Sequence, residues 1–315
     1  MQLARCGCNV RLGGVLELDL LDAMATDCEN ARYLPGVRFP PNLVANSNIE
    51  ECVDGAHDIL VAVPSHGLRE TLTTIRPLLG SQSRVCWATK GFELHSGKLP
   101  HRVAAEVLGS DRPIAVLSGP TFAKEVGAGL PTAMTIAAND SEFADSLAKS
   151  LSSDKFRAYT SDDIIGVEVG GAVKNVLAIA AGMSDGLGFG ANTRIALITR
   201  GLVEMKRLGV ALGADQETFM GLACMGDLVL TCTDNLSRNR RMGLALAGGI
   251  SIEEAKREIQ QVVEGVLAAE AVKEVADELA IEMPICHQVY RILYEGTSPR
   301  EAVTALMSRD LKAEN

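Results

Sequence analysis

An α/β domain followed by an all-α domain is the fold class that the 315-residue sequence predicts, and three observations predict it. Short β-rich runs alternate with helical stretches through the first half. Several of those runs are continuously apolar, as strands of a parallel sheet covered on both faces must be. Past residue 163 the short runs stop and long helical patterns take over. A chain of this length accommodates two domains, expected here at 1–163 and 164–315, with a direct strand-to-helix passage between them.

The strands are expected at NVRL (9–12), DILVAV (58–63), RVCWAT (84–89), PIAVLS (113–118), AMTIAA (133–138) and FRAYT (156–160). Helical patterns over 16–26, 48–54, 67–79, 98–108, 121–128 and 141–151 separate them, so the simplest architecture is a doubly wound sheet. In the second half one helix covers roughly 164–183 and another 193–209, with Ile195, Ile198, Leu202 and Met205 on one stripe. Ser251 with Glu254, and Ser298 with Glu301 around Pro299, have capping-box spacing. Pro284 breaks the pattern between them.

Composition excludes several function classes. A net charge of −10 argues against a general binder of nucleic acid or of anionic membrane. No apolar run reaches membrane-spanning length, and the opening MQLARCGCNVRLGG lacks the apolar core of a secretory signal. The eight cysteines are scattered, with one C-x-C at Cys6 and Cys8 and no second pair at zinc-finger spacing. That usage reads as reduced thiols of a cytoplasmic protein, with no metal. The histidines are dispersed, and His66 reads as a loop residue after a strand.

GGAVKNVLAIAAG, residues 170–182, holds a single charge, Lys174, in a stretch otherwise fit for a core. On a helix Glu168 lies well round from it, and Asp185 shares its face about three turns, roughly 16 Å, away. Lys174 therefore lacks a local ion-pair partner, and burying an ammonium alone costs several kcal/mol. Three outcomes are open: the amine snorkels to water, distant parts of the chain meet it, or it works partly deprotonated. Asp227 is a candidate for the missing carboxylate, with helix capping as its plainer role.

Other polar residues stand at the ends of expected strands, where open α/β sheets place their sites. VAVPSH turns at Pro64 and Ser65, and CWATKG delivers Lys90 at a carboxyl edge. In VLSGPTFAKE, Gly119 and Pro120 turn the chain and Thr121 begins a helix whose amides face an anion. Further on, Arg238, Asn239, Arg240 and Arg241 make the densest basic run in this acidic chain. It reads either as a solvated turn or as a phosphate clamp built from guanidinium forks and an amide.

The order and wording of AVPSH, WATKG, LSGPTFAKE, SDDIIGVEVGGAVKN, ITRG, GDLVLTCTDNLSRNRR and QVVEG resemble the bacterial-type NAD(P)-dependent glycerol-3-phosphate dehydrogenases. The resemblance runs from about Leu3 to Lys312. It implies a Rossmann-like sheet, NAD or NADP as cofactor, and reversible reduction of dihydroxyacetone phosphate to sn-glycerol 3-phosphate for glycerophospholipid synthesis in the cytoplasm. It implies Lys174 as the general acid and base. Substrate contacts implied are Lys90, Gly119, Thr121, Lys174, Asp227, Ser237, Arg238 and Asn239, with Asn175 and Thr231 as polar neighbours. Cofactor contacts implied are Lys90, Ala123, Arg238, Val262 and Glu264. A homodimer is the partnership it allows, with no nucleic acid and no membrane insertion. A ketone reduction needs a hydride at carbon and a proton at oxygen in one water-poor place. An unperturbed lysine, with a pKa of about 10.4, is a poor base near neutrality. Burial and a second ammonium from Lys90 lower that value, and Asp227 opposes them.

The sequence also departs from the family. Such a chain opens with a strand, a G-x-G-x-x-G loop and a helix, whereas this one starts near the end of that helix at QLARCG. Gly7, Gly13 and Gly14 do not supply the fingerprint, since no strand precedes them and no helix of the required kind follows. Three readings are open: a start placed downstream of the natural one, a non-catalytic remnant that binds a phosphate ligand or a full-length subunit, or a dehydrogenase of another hydroxy acid. Where the family commonly reads W-G-R after the second strand, this chain reads Gly13, Gly14, Val15, which puts NADP preference in doubt. Cys224 and Met225 precede Gly226 where the family usually reads G-L-G.

Overall fold

The structure, a computed structural model, describes residues 1–15 and 17–309. Leu16, the first position of the helix expected over 16–26, lies outside the described residues, as does the stretch from Asp310 that contains Lys312. The chain divides into two compact units, Met1–Thr89 with Pro100–Ile164, and Lys90–Leu99 with Ile165–Asn315. The short segment after Thr89 thus belongs with the helical unit.

The first unit holds strands β1 Val10–Leu12, β2 Leu43–Ala45, β3 Asp58–Val61, β4 Arg84–Trp87, β5 Ile114–Ser118, β6 Thr132–Ala138 and β7 Phe156–Ser161. Its helices are α1 Gln2–Arg5, α2 Leu18–Asp27, α3 Ile49–Val53, α4 Leu68–Ile75, α5 Pro100–Leu108, α6 Ala123–Ala128 and α7 Ser141–Leu151. β1 pairs with β2 in a parallel ladder, and β3 to β7 form a five-stranded sheet in sequence order. β2 was not expected from the sequence: three residues with Val44 outward and Leu43 and Ala45 inward are too few to show an alternation. β4 and β5, flanked on both sides, carry the continuous apolar runs, and Val85, Cys86, Trp87 and the whole of β5 are buried.

The Rossmann-like α/β fold is as expected, and its sheet is mixed rather than parallel throughout. β6 runs antiparallel to β5, pairing Ala115 with Ala138 and Ser118 with Thr135. The connecting helix α6 has only six residues, about 9 Å, too short to carry the chain back along the sheet for a parallel return.

In the second unit α8 spans Ile164–Gly186 and α9 spans Ala191–Ala211. α10 Asp227–Thr233, α11 Arg238–Ala247, α12 Ile252–Ile259, α13 Glu264–Glu278, α14 Pro284–Tyr294 and α15 Pro299–Met307 follow. α8 is the central helix, buried without a break from Gly166 to Ser184. By length and composition it is long and apolar enough to cross a membrane, but 94% of its apolar window is buried in the protein. That corrects the expectation that no stretch reaches such a length. Glu168 and Lys174 interrupt the apolar run without lowering its average much.

Glycines allow α11 to lie against α8 almost backbone to backbone. A Cβ at Gly182 would overlap the carbonyl of Arg240, and one at Gly243 would overlap that of Ile179. On α9, Ile198 and Met205 face the core and Leu202 packs at its edge, but Ile195 is 57% exposed, so the expected stripe is one turn shorter. Ser298 and Glu301 form the full reciprocal capping box, whereas Ser251 caps α12 by accepting the Glu254 amide. Pro284 opens α14 rather than merely breaking a pattern.

The α14 start has a partner that the sequence did not reveal. Buried Glu204 of α9 accepts the Ile285 and Cys286 amides at 2.7 and 3.1 Å. Burial pushes its carboxyl up to about 7, against the lowering effect of those amides. Between its ordinary 4.5 and about 7 the native state therefore keeps a proton that the unfolded chain releases. The resulting stabilisation is complete below the lower value and lost as pH rises through the upper one.

Two outcomes follow for stability. Gly243→Ala forces α11 off α8 and lowers stability by about 3 kcal/mol, read as a fall in the thermal midpoint. Native chain loses roughly 3 kcal/mol more than Glu204→Gln between pH 4.5 and 7, measured by urea denaturation across that range.

Candidate active site

Lys174 stands midway along α8, 7% exposed, and the missing carboxylate comes from far along the chain. Asp227 is the first residue of α10, delivered by the π-turn Leu222–Gly226 that precedes it. Lys174 Nζ lies 2.7 Å from Asp227 Oδ1, and Lys90 Nζ lies 2.9 Å from Asp227 Oδ2. Lys174 also donates to Thr231 Oγ1 at 3.1 Å, and that hydroxyl donates to the Asp227 carbonyl at 2.5 Å. One turn before Lys174, Gly171 leaves room for the Lys90 stem, since a Cβ there would sit 3.2 Å from Lys90 Cγ. The departure at Cys224 is absorbed locally: its thiol donates to the Gly166 carbonyl, and a Cβ at Gly170 would overlap its sulfur.

Burial is the largest influence on Lys174 and pulls its ammonium down. The Asp227 charge opposes that and the Lys90 charge adds to it, leaving the amine at about 8. For Asp227, burial pushes upward, but Lys174 and then Lys90 outweigh it and hold the carboxyl below its ordinary value. The cluster therefore holds one carboxylate between two ammonium groups, one of which releases its proton close to neutrality. Of the three outcomes open for Lys174, the second and third hold together: distant chain meets it, and it titrates.

A polar relay continues from the neighbouring residue. Asn175 donates to the Gly171 carbonyl at 3.2 Å and accepts from Asn239 Nδ2 at 2.9 Å. Asn239 Oδ1 in turn accepts the Gly265 amide at 2.9 Å, which places Glu264, the first residue of α13, next to this relay in the chain. Ser237 caps α11 by accepting the Arg240 amide at 3.2 Å, so half-buried Arg238 is the first helical residue. Val262, one residue before the α13 cap, is exposed. The basic run is neither a solvated turn nor a uniform clamp. Arg241 is exposed, but Arg240 is buried and paired with Asp185 at 2.6 Å. Arg238 is half-buried at the start of α11, and the Asn239 amide is tied to Asn175 and Gly265.

Three expected site residues belong to the sheet unit. Gly119 takes φ +145°, and a Cβ there would lie 2.9 Å from Met134 Cα, so glycine is required on both counts. Thr121 does not begin the helix as expected. Its hydroxyl donates to the Gly119 carbonyl at 3.2 Å, Phe122 is the cap, and Ala123 starts α6. Parallel β3, β4 and β5 end at one edge, where Thr89 donates to the Val63 carbonyl at 2.7 Å. His66 lies in the 3-10 turn Ser65–Gly67 that leads into α4. The half-exposed Val63 and Pro64 and this helix start offer the apolar wall and backbone amides that part of a nicotinamide dinucleotide needs, while the sequence carries no G-x-G-x-x-G loop for its pyrophosphate. After β1, Gly13, Gly14 and Val15 offer no cation to a 2′-phosphate.

A family model described as the C-terminus of NAD-dependent glycerol-3-phosphate dehydrogenase matches residues 163–304, and one described as its N-terminus matches residues 1–144. The chain is 53% identical to the glycerol-3-phosphate dehydrogenase (NAD(P)+) of Bartonella henselae, over 99% of this chain and 92% of the relative. It is 51% identical to that of Aliivibrio fischeri, over 100% and 92% of the two chains. The crystal structure of glycerol-3-phosphate dehydrogenase from Coxiella burnetii matches with a TM-score of 0.95 and 48% identity, covering 98% of this chain and 94% of that one.

The charge arrangement makes its own prediction. Removing the Asp227 anion leaves burial and Lys90 unopposed, so Asp227→Asn lowers the Lys174 midpoint from about 8 by one to two units. NMR titration of 13C-labelled lysine side chains reads the shift directly, and an unmoved midpoint refutes the coupling.

Proposed function

Because the chain belongs to the NAD-dependent glycerol-3-phosphate dehydrogenase family, we propose that it interconverts dihydroxyacetone phosphate and sn-glycerol 3-phosphate with Lys174 as proton donor and acceptor. The observation that carries this reading is the buried amine held at about 8 beside Asp227. A group poised there serves both directions of a reversible redox step.

In reduction, protonated Lys174 donates to the ketone oxygen as negative charge develops on it. In oxidation, neutral Lys174 takes the hydroxyl proton. Asp227 fixes both amino groups, so the proton leaves from a defined point, and Lys90 lies beside it as a contact for an anionic substrate. Ser237, Arg238 and Asn239 hold the phosphate, and that remote binding energy orients the carbonyl. Asn175 and Thr231 keep the amine and the amide relay in place. The family resemblance implies Gly119 and Thr121 as further substrate contacts. The nicotinamide, when bound, supplies or accepts the hydride. Lys90, Ala123, Arg238, Val262 and Glu264 are the residues that the family resemblance implies would hold it. The cation-free loop after β1 favours NAD over NADP. The same reading includes a homodimer and a cytoplasmic role in supplying glycerophospholipid synthesis.

Lys174→Met is expected to lower turnover of dihydroxyacetone phosphate with NADH by about 10²–10⁴-fold while sn-glycerol 3-phosphate still binds. In the native chain the oxidation rate rises with pH to a plateau above about 8, and the reduction rate falls over the same range. Steady-state kinetics across pH 6–10 checks both. Full activity in Lys174→Met, or efficient turnover of another hydroxy acid with none of glycerol 3-phosphate, overturns the proposal. Binding without turnover in the native chain points to a phosphate-binding role instead.

A further inference from the structure

We propose that Asp185 and Arg240 are positioning residues for this reaction, together holding the turn before α11 and its first residues in register with Lys174. The inference rests on the reading above that Ser237, Arg238 and Asn239 meet the substrate.

α11 runs alongside α8 in the same direction. Asn239 meets Asn175, Gly243 packs on Ile179, and Ala247 packs on Gly186. At the end near Lys174, one amide–amide hydrogen bond fixes the register. The next residue of α11 adds an ionic tie further along α8: Arg240 Nη2 donates to Asp185 Oδ2 at 2.6 Å. The other arm of the same guanidinium donates to Asn235 Oδ1, in the turn that joins α10 to α11. One planar fork therefore bridges the last turn of α8 and the loop that presents Ser237 and Arg238. Arg194, in the first turn of α9, donates to the same Asp185 oxygen at 2.8 Å and braces the carboxylate from a third helix. Arg240 is only 8% exposed, so neither of its links is easily replaced by water.

This matters because a triose phosphate has a fixed covalent length. Its phosphate contacts and the amine that meets its oxygen must be held at one separation, and an error of about 1 Å costs on the order of 100-fold. A lysine at 240 keeps the charge but lacks the fork that makes both links.

The test uses the full chain with Asp185→Asn, Arg240→Lys and Asn235→Ala, each checked for folding by thermal unfolding. Kinetics with dihydroxyacetone phosphate and NADH are paired with calorimetric binding of sn-glycerol 3-phosphate. Asp185→Asn and Arg240→Lys are expected to raise KM and weaken binding about 10-fold, with the double variant no worse than either single one. Asn235→Ala, at an exposed position, moves both in the same direction by about 3-fold. The pH midpoint of turnover stays where it is in the native chain. A merely structural role lowers kcat with the folded fraction and leaves KM unchanged, which overturns the proposal. If the two charge variants do not fold, an unchanged KM in Asn235→Ala overturns it. A native chain that neither binds nor turns over removes the functional reading and this inference with it. A native chain that does both, matched by its variants, removes the positioning role alone.

Discussion

A single carboxylate shared by two ammonium groups in a water-poor interior is the constraint on which the rest of the helical unit depends. Asp227 gives one oxygen to each of Lys174 and Lys90, and all three groups are wholly or largely withdrawn from solvent. Removing water from those charges costs several kcal/mol per ion, and the cost is met only when geometry is good and the remaining lone pairs are occupied. Thr231 and the first turn of α10 supply that geometry. The trio carries an excess positive charge at neutral pH, and the excess disappears as Lys174 titrates. Affinity for an anion and the ability to move a proton are thus two consequences of one arrangement.

Such a cluster works only if its neighbours exclude water, and α8 is built for that. Its flanking residues around Lys174, including Val173 and Val176, are fully buried. Glycines at 170, 171 and 182 let the Cys224 region, the Lys90 stem and α11 approach the helix backbone closely. Composition that resembles a membrane span therefore has a packing cause: small and apolar residues are what a helix surrounded on every side can carry.

Much of this was legible in the sequence, for identifiable reasons. Strands buried on both faces gave continuous apolar runs, so β4 and β5 were readable, whereas β2 was too short to leave a pattern. The antiparallel turn between β5 and β6 was not readable, because periodicity carries no direction. Lys174 stood out as an unpaired charge in an apolar run. Its partner could be named only as a candidate, since Asp227 lies 53 positions further along the chain and topology alone closes that gap. Arg240 was misplaced because a basic run shows charge but not which side chain is buried. Glu204 gave no signal, being one acidic residue among many on an amphipathic helix.

The contrast between Lys174 and Arg240 shows how one interior uses two cations differently. A lysine amine is a compact charge whose proton comes off when burial outweighs its counter-ion, so a low-polarity site makes it a usable acid and base. A guanidinium does not lose its proton in a protein, and its planar fork ties two acceptors at once. Exchanging the two would fail in both places. An arginine at 174 would stay charged and give no proton acceptor, and a lysine at 240 would reach one partner and leave the other loose. The chemistry of the site and the stiffness of its frame therefore follow from the same physical difference between two side chains of equal charge.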